Sequence, residues 1–268
     1  MLNKIRYNLF PGGCHHCITM SYDDGVRSDV RLAQIFRESG IAATFHLNAG
    51  TLGSAGRVDA ADIPQIYAEH EVSCHMLTHP FPTELPDTAV LAEIIEDRRA
   101  LERASASIVR GMSYPYGNYD DRVIRLCRSA GMEYARTVCS TNRFGLPQDF
   151  MQWHPTCHHK ENILDKLEAF YAPDKYETMR LLYVWGHSFE FNNDSNWGVI
   201  EEFSKRAAHR EDTWYATNIQ IVDYIHAMRS LRVAVDGTRV YNPSACEVWF
   251  TLDGETVGVK PGETLYVK

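Results

Sequence analysis

Short apolar runs recur along the first 230 residues, and each leads into a polar cluster. Residues 17–20 lead into Tyr22-Asp23-Asp24-Gly25, and residues 72–74 into His75-Met76-Leu77-Thr78-His79. Residues 108–112 lead into Tyr114-Pro115-Tyr116-Gly117, and residues 181–185 into Gly186-His187. Between these runs the period becomes helical. Val90, Leu91, Ile94, Ile95 and Leu101 recur at near-helical spacing over residues 87–104, with charges between them. Residues 120–129 predict a shorter helix closed by Gly131, a favourable residue just past a helix end. Residues 59–69, 162–170, 197–208 and 218–231 read as further helices, and residues 41–47, 150–153, 181–185 and 213–216 as strands. About seven or eight strand–helix units fit, which predicts an α/β fold, a distorted (β/α)7–8 barrel, over a doubly wound sheet.

The texture changes after residue 231. Residues 232–268 alternate in short β runs broken by Asp236-Gly237, Asn242-Pro243, Asp253-Gly254 and Pro261-Gly262, which are turn signals. The expected division is a barrel over 1–231 and a small β-rich appendage over 232–268, packed on the barrel.

With 268 residues the chain can bury a barrel-sized core. A formal net charge of −8 argues against a nucleic-acid surface. No stretch reaches the roughly 18 apolar residues of a membrane helix, and residues 1–13 lack a secretory apolar region. The expectation is a cytoplasmic protein with no membrane or nucleic-acid partner. Seven Cys in a chain this long do not make a disulfide framework.

Chemistry repeated at the C-terminal ends of strands is how an α/β barrel builds a site. Asp-Gly alone is a common turn. At a strand end, however, two adjacent carboxylates point in different directions, so one can ligate an ion while the other handles a proton. His75 and His79, four apart, would face the same way on one helical turn, ending before Pro80. With a strand-end Asp they make a set that leaves a position open for water, the catalytic rather than the structural arrangement. A second collection, Cys14, His15, His16 and Cys17 with His154, Cys157, His158 and His159, also has ligand chemistry. Core cysteines and loop histidines account for it more simply. The Pro115-Tyr116 loop offers a backbone N–H to an oxyanion, with Arg110 to hold a carboxylate. His187, after its own strand, is placed to act as a general acid.

Taken in order, these residues resemble the polysaccharide deacetylases of carbohydrate esterase family 4, the NodB-homology group. Ser21-Tyr22-Asp23-Asp24-Gly25 is similar to the family's Thr-Phe-Asp-Asp-Gly motif, and Ala43-Thr44-Phe45-His46 to its second-strand segment. His75 to Pro80 matches His-x-x-x-His-Pro, and Tyr114 to Gly117 contains Pro-Tyr-Gly. The resemblance covers about the first 230 residues. It implies a divalent metal, most commonly zinc, held by Asp24, His75 and His79. Asp23 would be the general base, the Tyr116 N–H an oxyanion donor, and His187 the acid that protonates the leaving group. Arg110 lies further from the Pro-Tyr motif than the family's arginine does. The family's Asp-Trp motif has only Asp149 and Trp153 as counterparts, and Val-Trp-Gly-His replaces Leu-x-x-His.

The function expected from this is metal-dependent removal of acetyl groups from an N- or O-acetylated carbohydrate. A metal-dependent amidase acting on a small cyclic amide or ureide is the alternative on the same barrel. A non-catalytic carbohydrate-binding protein is a third reading, against which the presence of Asp23 argues.

Overall fold

The computed structural model describes residues 4–173 and 175–267. Eight strands form one parallel sheet: β1 (His16–Asp23), β2 (Ala43–Leu47), β3 (Glu71–Cys74), β4 (Gly111–Ser113), β5 (Tyr134–Arg136), β6 (Cys157–His158), β7 (Arg180–Gly186) and β8 (Thr213–Tyr215). Their order is β5-β4-β3-β2-β1-β7-β6, and β8 pairs with the first residues of β1. The two ends of the series approach through a parallel bridge between Arg136 and Trp153, so the sheet curls into a distorted, incompletely closed barrel. β1 is buried along nearly its whole length, as expected of a central parallel strand covered on both faces.

The helices are α1 (Asp29–Glu38), α2 (Ile63–Ile66), α3 (Asp87–Ser105), α4 (Asp121–Ser129), α5 (Ile163–Tyr171), α6 (Phe189–Asn193), α7 (Trp197–Ala207) and α8 (Asn218–Ser230). α3, α4, α5, α7 and α8 fall within a residue or so of the expected bounds. Asp120 caps α4 through Val123 N–H, and Thr217 with Gln220 forms a capping box on α8. The helix expected over 59–69 shrinks to the single turn of α2 after a 3-10 turn, and Glu69 takes φ 68°, through which no α-helix continues. The strand expected over 150–153 is a 3-10 turn, Phe150–Gln152, capped by the Asp149 side chain.

The turn-rich C-terminal segment forms two small antiparallel sheets. In one, Val248–Leu252 pairs with Glu255–Val259 and also with Ile5–Arg6 near the start of the chain. In the other, Arg232–Val233, Arg239–Tyr241 and Thr264–Tyr266 pair. Both ends of the chain therefore supply this β unit, and a division at residue 231 does not separate it from residues 5–6. Val248 packs into the cluster of Ile221, Val222 and Tyr224 from α8, and Phe250 joins Val240 and Val259. The Tyr224 hydroxyl donates to Leu9 O and accepts from Trp249 N–H. No helix of the described residues is long and apolar enough to cross a membrane.

Candidate metal centre

Because the strands are parallel, everything that follows a strand lies on one rim. Asp23 ends β1, His75 follows β3, Tyr114 follows β4, Arg136 ends β5, His158 ends β6 and His187 follows β7. Asp24, His75 and His79 bring one ligand atom each within 4.8 Å of one another. Asp24 Oδ1 lies 3.7 Å from His75 Nε2 and 3.7 Å from His79 Nε2. The two rings are 4.6 Å apart.

The backbone that achieves this is not helical. Met76 and His79 both have φ 60°, so the segment from His75 to Pro80 is a loop rather than the helical turn read from the spacing. It is held from behind: Asp97 of α3 accepts the His75 N–H at 3.0 Å and the Ala49 N–H at 2.7 Å, and Asn48 donates to His75 O and Met76 O. Burial pushes the Asp97 carboxyl up to about 7.

Two observations test whether these residues fit a metal. Asp24 Oδ1 is buried and has no hydrogen-bond partner, a costly state unless something binds it. The second is the His75 tautomer. The Ser113 hydroxyl donates its one proton to Asp23 Oδ1 at 3.0 Å. His75 Nδ1, 2.7 Å from that hydroxyl and 3.0 Å from Ser113 O, must then be the donor. In the neutral ring this leaves the Nε2 lone pair free beside Asp24. Burial draws the His75 pKa down to about 4, which keeps the ring neutral. One carboxylate oxygen and two imidazoles, that of His75 with its Nε2 lone pair free, suit zinc and similar divalent ions.

Asp23 is buried next to this set, its Oδ2 3.8 Å from His75 Nε2. Burial alone would raise its pKa. The Arg136 guanidinium, with His75, His46 and His187 beside it, outweighs that and holds the carboxyl well below its ordinary range. Arg136 donates directly to Asp23 Oδ2 and lies 4.4 Å over the Trp185 ring. Arg57 caps the other carboxylate, donating to Asp24 O and sitting 3.7 Å from Asp24 Oδ2.

Tyr116 sits in a 3-10 turn, Pro115–Gly117, with φ 58° and ψ 9°. Its N–H finds no hydrogen-bond partner among the described residues. Its ring meets His79 edge-on at 4.4 Å and stacks on Phe81 at 4.0 Å. His187 Nδ1 lies 3.3 Å from Glu190 Oε2. Burial works against the charged imidazole, but Glu190, Asp23 and Asp24 prevail and raise its pKa. His46 is fully buried with Nε2 2.9 Å from the Ser21 hydroxyl, and burial holds its pKa at about 3.

The structure does not bring Arg110 to this rim. It precedes β4, at the opposite end of the barrel, and is held there by Asp223 at 2.6 and 2.8 Å and by Glu133 at 3.1 Å. The arginine beside Asp23 is Arg136. Asp149 and Trp153 are also elsewhere: Asp149 pairs with Arg128 at the surface, and Trp153 is core among Tyr134, Phe150 and Tyr183. The tryptophan at the site is Trp185. In the second histidine collection, His158 and His159 group with Glu190, and no Cys joins them among the described residues. Sequence reasoning missed Arg136 and Glu190. An arginine ending a strand whose other residues are buried was the one signal for Arg136.

The polysaccharide deacetylase family model matches residues 12–135. A search of curated protein sequences finds no match. Among solved structures, a family 4 carbohydrate esterase from Streptomyces lividans in complex with acetate aligns with a TM-score of 0.51 at 16% identity, over 76% of this chain and 93% of its own. A family 4 esterase domain of a multidomain xylanase from the hindgut metagenome of Trinervitermes trinervoides aligns with a TM-score of 0.53 at 14% identity, over 79% and 92%. A family 4 pseudoenzyme from Bacillus anthracis aligns with a TM-score of 0.52 at 15% identity, over 81% and 68%. Other matched deacetylase structures are spanned over only 55% and 44% of their lengths. At these identities the likenesses establish the fold, a distorted (β/α) barrel.

Proposed function

We propose, from the premise that residues 12–135 belong to the polysaccharide deacetylase family, that this protein is a metal-dependent hydrolase removing acetyl groups from an N- or O-acetylated carbohydrate. The observation that carries the reading is the juxtaposition of the open Asp24–His75–His79 set with a second carboxylate, Asp23, held ionised by Arg136. A matched pseudoenzyme shares the fold, so competence is argued from these groups rather than from the barrel.

Asp24, His75 and His79 would hold a divalent ion of the zinc type. When bound, such an ion supplies Lewis acidity and lowers the pKa of a neighbouring water. Asp23 is the general base, ionised and fixed by Ser113 and Arg136. The unpartnered Tyr116 N–H is the donor for negative charge developing on the acetyl oxygen. His187, with its raised pKa, delivers a proton to the departing amine or hydroxyl. The exposed faces beside His79, Tyr116 and Phe81, are aromatic surfaces of the kind on which a sugar ring packs.

The test is product detection. Acetate released from acetylated oligosaccharides, with no ring-opened acid from cyclic amides or ureides, is expected. Ring opening without acetate release would reassign the activity to the amidase class.

A further inference from the structure

At the end of the barrel away from the metal centre, a cleft runs between α8 and the C-terminal β unit. Arg110, which precedes β4, and Trp214, aligned with Cys17 near the start of β1, mark that end. One half of the cleft, about 490 Å³, is lined by Trp214, Gln220, Asp223, Tyr224, Glu247 and Trp249. It continues into a second half of about 690 Å³ past Arg110, Ala227, Ser230 and Ser244, with Asp223 and Cys246 lining both. Gln220, Asp223, Ala227 and Ser230 lie along one side of α8 over about 15 Å of helix, a length that suits a chain rather than a single ring.

The walls offer aromatic rings and unused polar groups side by side. Trp214 meets Tyr224 edge-on at 5.6 Å and Phe10 at 5.9 Å, which fixes its ring. Trp249 lies against its register partner Gly258, where a Cβ would come within 3.2 Å of the indole. The indole N–H of Trp197 donates to Asn192, but those of Trp214 and Trp249 bond to no described residue, and neither is sealed from solvent. Gln220 Oε1 accepts the Thr217 N–H, and its NH2 group has no partner among the described residues. This is the chemistry that grips a sugar: a C–H face packs on an indole while hydroxyls find hydrogen bonds at its edge.

Charge narrows the class of sugar. Asp223 and Glu247 are the charged residues of the aromatic half, and both are acidic. Arg110 holds both Asp223 oxygens, at 2.6 and 2.8 Å. Glu247 makes no ion pair among the described residues. A carboxylate beside indole faces is complementary to an ammonium, which gains from both.

We propose that this cleft binds a hexosamine chain in its free-amine form, the state that removal of N-acetyl groups produces. The identity of the chain rests on the deacetylase reading; the cleft itself does not. Bound there, a deacetylated stretch keeps the polymer on the protein while the metal centre acts on an acetylated stretch.

The test is a titration of the full-length, zinc-loaded Asp23→Asn protein, which leaves the oligomers unconverted, with a glucosamine hexamer and with its fully N-acetylated counterpart. The tryptophan indole N–H signals are followed by 15N NMR. The glucosamine hexamer is expected to shift the Trp214 and Trp249 signals, and the acetylated hexamer to do so only at about tenfold higher concentration. Glu247→Gln, in a side chain without an ion pair, should weaken binding of the glucosamine hexamer by about tenfold. In the protein that retains Asp23, the same substitution should leave acetate release from the acetylated hexamer unchanged. Trp249→Phe, which keeps an aromatic ring over Gly258, should also weaken the titration. Unmoved Trp214 and Trp249 signals overturn the proposal, as does equal titration by the two hexamers or an unaffected Glu247→Gln variant. Tighter titration by a hexalysine peptide also overturns it, and would make the cleft a peptide groove. Failure of the deacetylase reading shows separately, as no acetate release from the acetylated hexamer, and the indole titration still reports on the cleft.

Discussion

Arg136 and Asp23 stand 113 positions apart in the chain and meet as a hydrogen-bonded pair with neither side chain open to solvent. Breaking a buried pair by removing one partner leaves an uncompensated charge, at a cost of about 3–5 kcal/mol. Arg136→Met should lose stability on that scale in denaturant unfolding and lose turnover with it. Asp23, freed of its counter-charge, would then bind a proton more readily. A stable, active Arg136→Met protein would show that Asp23 does not depend on this arginine.

Asp23 and Asp24 are adjacent but face different partners, and their proposed roles differ accordingly. Asp23→Asn should cut turnover by roughly a hundredfold or more while metal content stays near the wild-type level. Asp24→Asn should lose both together. Parallel loss of metal and turnover in Asp23→Asn would mean that the two roles are wrongly divided.

Asp29, at the start of α1, is fully buried and accepts from Ser188 and Tyr67, and burial raises its pKa to about 7. A carboxyl raised above its unfolded value contributes stability at low pH that is lost as pH rises through the folded pKa. Asp29→Asn lacks this term. Its stability relative to wild type should therefore improve by roughly 1–3 kcal/mol between about pH 5 and about pH 8. A constant difference across that window, measured by denaturant titration, would show that Asp29 does not titrate there.

The β unit built from both chain ends should matter for folding rather than for chemistry. Phe250 is fully buried against Val240 and Val259, so Phe250→Ala should cost about 3–5 kcal/mol. Removing residues 232–268 strips Val248 from the apolar side of α8 and should reduce solubility. A truncated chain as stable as the whole would make this segment an independent module.

Much of this site is visible in the order of residues along the chain. Asp24, His75, His79 and His187 each follow an apolar run, and a parallel barrel delivers strand ends to one rim whatever lies between. The conformation of His75–His79 was not visible, because i, i+4 spacing suits a helical turn as well as a loop with two left-handed residues. Arg136 was obscured by brevity: β5 has three residues, too few to show a period, and Arg110 stood nearer to the Pro-Tyr turn. Arg110 precedes its strand, however, and Arg136 ends one, and that difference sends them to opposite ends of the barrel. Glu190 was hidden for another reason. Its partners His158 and Lys160 are about 30 positions away and are brought to it only by the pairing of β6 with β7. Likewise the pairing of Ile5–Arg6 with residues 251–252 joins parts of the chain that no local pattern connects.

In the proposed function, Asp24, His75 and His79 hold one ion on which deacetylation depends. Acetate release from an acetylated oligosaccharide, followed while zinc is titrated into chelator-stripped protein, tests it most directly. No release without zinc, saturation at about one equivalent, and no response in the His75→Ala/His79→Ala double variant are expected. Acetate release by the stripped protein, or zinc-dependent release that survives in the double variant, would contradict it.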